Sequence, residues 1–274
     1  MSISEMPSLD RLSLNQITVD QWSLEQVIDG CLRAGVDWIG PWRHKVQEAG
    51  LDKAARLVRE SGLKVSSYCR GGFFPVLEHE IGTRHEDNCR AVDEAVALGT
   101  DVLVLVCGPS IDKDIEAARH MVVEGIAALV PHARAAGVKL GIEPLHPMFA
   151  GDRSVVVTLG QATDVASNFS SDDVGVIVDV YHVWWDPNLY EEIERATGRI
   201  LGFHVSDWTV PTPELLAGRG LMGDGVIELR RIRAAVEAAG YGGPIEIEVI
   251  NRDLWSRSGD EVLSAVVSRF TEHV

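Results

Sequence analysis

Val174-Gly175-Val176-Ile177-Val178-Asp179-Val180-Tyr181-His182 is the stretch on which the fold reading turns. Four of its first five residues are β-branched, and a short apolar run of that kind reads as a strand buried on both faces. The run stops at Asp179, and His182 follows three residues later. An ionised carboxylate in such a setting is costly to bury unless it is paired, hydrogen-bonded or bound to a metal. The same construction recurs three times: Val138-Lys139-Leu140-Gly141-Ile142 ends at Glu143, Ile200-Leu201-Gly202-Phe203 at His204, and Ile245-Glu246-Ile247 at Glu248. Four apolar runs, each closed by a side chain able to ligate a metal, point to one shared site.

Outward from these runs the chain alternates strand and helix signals. Alternation over Leu12 to Thr18 predicts a first strand, Val36 to Gly40 a second, Leu63 to Tyr68 a third and Val102 to Val106 a fourth. Between them, Ser23 and Gln26 have capping-box spacing ahead of Leu24, Val27, Ile28, Cys31 and Leu32. Further helices are predicted from Leu51 to Gly62, from His85 to Leu98 and from Ile115 to Ala136, the last with a break at Pro131. The second half continues with helices over Leu159 to Ser167, Leu189 to Ala196, Ile227 to Ala239 and Asp260 to Phe270. Eight strands alternating with eight helices are the arithmetic of a (β/α)8 TIM barrel, an α/β fold, read as a single domain over residues 1–274. An open doubly wound sheet would carry a glycine-rich turn after the first strand; Val19-Asp20-Gln21-Trp22 has no glycine.

Composition narrows the function classes. Of 274 residues, 41 are acidic and 25 basic, a net charge of −16, which repels nucleic acid and anionic membranes. Four cysteines lie apart without CxxC spacing, as in a reduced, cytoplasmic protein. The segment from Met1 to Asp10 is polar, with no signal-like apolar run, and no run reaches the roughly 18 apolar residues of a membrane helix.

In a barrel of this kind the active site lies at the C-terminal ends of the strands. Glu143, Asp179, His204 and Glu248 would stand there on four neighbouring strands. Taken singly, Asp179 also fits a helix cap or ion pair, His204 a core histidine, and Glu246 or Glu248 the partner of a basic residue. Taken together, three carboxylates and an imidazole suit Mn, Mg or Co, with Zn a further fit. Trp42, Phe73, Phe74, Trp184 and Trp185 fall in strand-end loops, where aromatic faces either pack on sugars or anchor the loops. Arg43 and Arg70 are candidates for a carboxylate or phosphate, and His146 for orienting Glu143.

Gly141-Ile142-Glu143-Pro144-Leu145-His146-Pro147, Asp179-Val180-Tyr181-His182, His204-Val205-Ser206-Asp207, Gly223-Asp224-Gly225 and Ile247-Glu248-Val249-Ile250 together resemble the xylose isomerase-like barrels. The nearest branch is the sugar phosphate isomerase/epimerase group, with its ketose epimerases and inosose dehydratases, and the resemblance spans essentially the whole chain. It implies that Glu143, Asp179, His204 and Glu248 hold one divalent ion, that Glu143 and Glu248 exchange roles as base and acid, and that His182 and Arg219 contact substrate. The implied activity is isomerisation or epimerisation of a sugar or related polyol ketone, by proton abstraction next to a carbonyl through an enediolate. The same site would serve a lyase or dehydratase acting on a keto-inositol, keto-sugar or keto-glycoside. Endonuclease IV-like repair enzymes share the barrel but carry extra histidines at the ends of strands three and four, where this chain has Cys69-Arg70 and Cys107-Gly108-Pro109. A non-catalytic binding barrel is the remaining alternative. The implied partner is a small carbohydrate, and barrels of this family often form homo-oligomers.

Overall fold

The computed structural model describes residues 9–274, so the polar N-terminal segment lies, but for its last two residues, outside the described chain. Nine strands, all parallel, make a nearly closed barrel: β1 (Leu12–Asn15), β2 (Trp38–Gly40), β3 (Lys64–Val65), β4 (Tyr68–Gly72), β5 (Val102–Val106), β6 (Lys139–Glu143), β7 (Val174–Asp179), β8 (Ile200–Val205) and β9 (Ile245–Ile247). β3 pairs with β2, and β4 pairs with β5. They are two parts of one barrel stave, interrupted at Ser66 and Ser67. The gap is bridged by the Ser66 amide donating to Ile39 O and the Cys69 amide to Pro41 O. The expected eightfold arrangement therefore holds, with the third stave broken where its serines turn to other partners.

Eleven helices flank the barrel among the described residues. α1 (Leu24–Ala34) starts on the predicted capping box and stops at Gly35, in the left-handed region at φ 69°. The segment between β2 and β3 divides into α2 (Arg43–Ala49) and α3 (Leu51–Ser61), where one helix was expected. α4 (Ile81–Leu98) begins four residues earlier than predicted. α5 (Ile115–Ala136) runs through Pro131 unbroken, its buried face carrying Leu129, Val130 and Ala133 on both sides of the proline. Packing of that face holds the last turn despite the missing donor. Among the described residues no helix is long and apolar enough to cross a membrane.

The barrel interior is layered by the period-two alternation of its strands. Val102, Val104 and Ile177 form an apolar floor with Leu201 packed on it. Gly141 and Gly202 leave room for Ile177, since a Cβ on either would come within 2.6 or 2.8 Å of its Cδ1. Two residues further along the same strands, on the same inward face, come Glu143, Asp179 and His204. The floor keeps water from below, and the polar layer above it is the site.

Candidate metal centre and its surroundings

Each of the four groups lies within one residue of the C-terminal end of a strand. Glu143 closes β6, Asp179 closes β7, His204 is the penultimate residue of β8, and Glu248 follows β9. One ligand atom from each lies within 4.8 Å of every other. All four are buried, with 0–5% of their surface exposed. His204 Nδ1 faces Glu248 Oε2 at 3.0 Å and Glu143 Oε1 at 3.4 Å. Asp179 also caps the short helix Val180–Val183 by accepting from the Tyr181 amide.

Charge in this pocket is unbalanced. Three carboxylates converge on the His204 imidazole and on one arginine, Arg219, which donates to Asp179 Oδ2 at 2.9 Å and to the Glu248 carbonyl at 3.2 Å. Burial pushes the Glu143 carboxyl up to about 7, against the pull of His204. Burial also raises Asp179 despite Arg219. His204 is raised well above the histidine range although burial opposes it, because Glu246, Glu143 and Glu248 surround it. Glu248 is lowered, against burial, by Arg219 and His204. With Glu246 close behind, four buried carboxylates face one arginine and one imidazole, an excess of acidic groups that a divalent cation would offset. The donor set therefore fits such an ion in number, type and spacing.

The residues behind the ligands are as closely arranged. Glu246, on the same inward face as Glu248, lies 3.7 Å from His204 Nε2, an atom without a hydrogen-bond partner. Its own oxygens accept from Asn15 Nδ2 at 2.6 Å, Ser66 Oγ at 2.6 Å and Ser67 Oγ at 2.9 Å. The break in the third stave thus delivers two hydroxyls to a carboxylate that faces the histidine from behind. Neither Asn15 nor the serine pair stood out in the sequence, because they are short polar residues without a motif.

Arg219 is set by a loop. Asp207 is buried and accepts four backbone N–H groups, from Trp208 and Ile227 at Oδ1 and from Gly223 and Gly225 at Oδ2. Its own backbone pairs with Gly220 in both directions. Gly225 must be glycine here, since a Cβ would lie 2.2 Å from Trp208 O. The guanidinium of Arg219 lies over the Tyr181 ring at 4.4 Å and reaches His182 Nε2 at 3.1 Å. The His146 amide donates to His182 Nδ1 at 3.1 Å, so both ring nitrogens of His182 face a donor. Burial and Arg219 keep it well below the ordinary histidine pKa.

A narrow cavity opens over Glu143 and Glu248, walled by His182, Arg219 and the side chains of Trp42 and Leu216. The other sequence candidates divide. Trp42 and Arg70 line it; Phe73 lies just beyond, in an adjoining groove. Phe74 packs against Gly125 of α5, Trp185 donates to His182 O, and Trp184 leans on Trp208, so these three anchor structure. Arg43 is committed to Asp87 and Glu94 in α4 and is not free for a substrate anion. His146 supports His182 through its amide and stacks on Trp208, rather than orienting Glu143. Arg153, which the sequence reading passed over, lines the cavity as well.

The sequence profile of the xylose isomerase-like TIM barrel family matches residues 28–267. The chain belongs to that family. Protein SMc04130 of Sinorhizobium meliloti 1021 is 50% identical, with a TM-score of 0.93 over 97% of this chain and 98% of that one. The IOLI protein, solved with a bound zinc atom, superposes with a TM-score of 0.84 over 96% of this chain and 97% of its own, at 19% identity, and supports the fold alone. The 3-dehydroshikimate dehydratase of Pseudomonas putida KT2440 is 28% identical over 59% of this chain, and that match spans 25% of the dehydratase.

Proposed function

We propose that the protein is a divalent-metal-dependent isomerase or epimerase of a sugar or related polyol ketone. The observation that carries the reading is the convergence of Glu143, Asp179, His204 and Glu248, with donor atoms within 4.8 Å, at the C-terminal end of the barrel. Those four side chains would hold the ion. When bound, a divalent cation supplies Lewis acidity that makes the hydrogen next to a substrate carbonyl removable. Mn, Mg and Co suit the carboxylate-rich donors, and the zinc in the IOLI protein makes Zn a fourth to test.

Glu143 and Glu248 come from β6 and from the end of β9, with β7 and β8 between them. One removes a proton from carbon and the other returns it. Return to the opposite face inverts the centre; return to the neighbouring carbon exchanges aldose and ketose. His182 and Arg219 hold substrate oxygens, and Trp42, Leu145, Phe149 and Ile250 exclude water from the cavity. The net charge of −16 favours a small carbohydrate over nucleic acid as partner.

The dehydratase relative favours a second reading on the same site, in which loss of the proton is followed by expulsion of a β-hydroxyl. Incubation of metal-loaded protein with ketoses and keto-inositols in D2O, followed by NMR, distinguishes the two. Deuterium next to the carbonyl in a product otherwise isomeric with the substrate means isomerisation or epimerisation; an unsaturated product means elimination. Glu248→Gln and Glu143→Gln should each abolish turnover with metal still bound. Full activity in either variant refutes that residue's acid–base role.

A further inference from the structure

Two arginines on the cavity wall donate no hydrogen bond to a carboxylate among the described residues. Arg70 lies in β4 where the register with β5 slips between Cys69 and Gly71, so it is the extra residue of a bulge. Bulges of this kind re-aim a side chain. Among the described residues its guanidinium makes no hydrogen bond or ion pair and lies over the Phe73 ring at 4.2 Å. The segment beneath it is firmly held: Asn88 exchanges two hydrogen bonds with Gly72, and the Phe73 amide donates to Val106 O. Arg153, on the loop after β6, comes no closer than 4.0 Å to a carboxylate, that of its neighbour Asp152, and its buried Nε is unpartnered. By contrast Arg43 and Arg219, which line the adjoining groove and the same cavity, are held by carboxylates.

The geometry gives these two side chains a purpose. Glu143, Asp179, Glu246 and Glu248 face Arg219, His204 and the candidate ion position, on the other side of the cavity. Arg70 and Arg153 line the same cavity without a carboxylate in hydrogen-bond reach. Burial, together with the nearby Arg153 and Arg84, lowers the Arg70 guanidinium from the usual arginine range, as expected of a cation held without an anion.

We propose that the substrate carries an anionic group, a carboxylate or a phosphate, seated by Arg70 and Arg153 beside the metal site. The proposal rests on the polyol-ketone reading above and narrows it to acidic members of that class. Arginine forks suit both anions, and charge-assisted hydrogen bonds are the stronger kind.

Titration calorimetry on Mn-loaded protein with D-fructose, 5-keto-D-gluconate and D-fructose 6-phosphate tests it. At least one anionic probe should bind about tenfold or more tighter than D-fructose. The probe with the larger gain distinguishes carboxylate from phosphate. Arg70→Gln and Arg153→Gln should each erase most of that gain while leaving D-fructose affinity and Mn stoichiometry unchanged, and Arg153→Lys should restore part of it. Should Arg70→Gln fail to fold, the loop variant Arg153→Gln decides alone. Equal affinity for neutral and anionic probes, or a preference that survives both Gln variants, overturns the anion seat and leaves the metal reading standing. Failure to bind Mn overturns the metal reading instead, and an arginine-dependent preference would then still support the seat.

Discussion

Glu246 shows how far a residue's role depends on what surrounds it. It stands two positions before Glu248 on the same inward face, with the same chemistry, yet Asn15, Ser66 and Ser67 occupy its oxygens. What remains for it is His204, whose Nε2 it faces at 3.7 Å. A carboxylate behind a ligating imidazole fixes the ring and raises its basicity, and losing such a partner costs roughly 10–100-fold in metal affinity. Glu246→Gln should show a loss of that size in competition against a chelator; unchanged affinity would mean that Glu246 serves the barrel alone. Gly40 tests the same point without touching a charge. A Cβ there would stand 2.1 Å from Glu246 Oε1, so Gly40→Ala displaces the carboxylate. Overpacking of this kind costs about 1–3 kcal/mol. Denaturant unfolding should register that loss and metal titration a weaker site; an unshifted metal affinity would contradict the coupling.

At the scale of elements, the loop from Ser206 to Gly225 is the part most dependent on a single side chain. Asp207 accepts four backbone N–H groups and so joins the start of the loop to its end, with Arg219 carried between. Asp207→Ala leaves those donors unsatisfied, each lost partner costing about 1–3 kcal/mol where the group stays buried. Arg219 would lose its fixed position, whereas Glu143, Asp179, His204 and Glu248 stand on strands of their own. The expected outcome is a raised KM with metal stoichiometry retained. A variant that loses metal and substrate affinity together would show that the loop also supports the centre. The broken third stave is a second element with a purpose: the interruption that separates β3 from β4 is where Ser66 and Ser67 reach Glu246.

For the whole molecule, an ion held by the four side chains would cross-link β6, β7, β8 and the end of β9, distant segments brought side by side. An ion bound only by the folded chain stabilises by mass action, about 2.7 kcal/mol at a hundredfold excess over Kd. Thermal unfolding should therefore shift upward with added Mn or Zn and return after chelation. A Tm indifferent to every divalent ion would argue against a site at these residues. Much of this was legible in the linear chain. Apolar runs closed by Glu143, Asp179, His204 and Glu248 announced the barrel and the four side chains that converge in it, because strand pattern is local and a barrel places every strand end on one rim. The capping box at Ser23 was legible for the same reason. The commitment of Arg43 to α4, the anchoring roles of Phe74, Trp184 and Trp185, the cradle around Glu246 and the freedom of Arg70 and Arg153 were not. Each is a question of which charge or cavity lies within a few ångströms, and the partners sit up to 231 positions apart, as Asn15 and Glu246 do. Local pattern determined the strands and what they end in; only the closed barrel decided which of those side chains already had a partner and which were left to face a ligand.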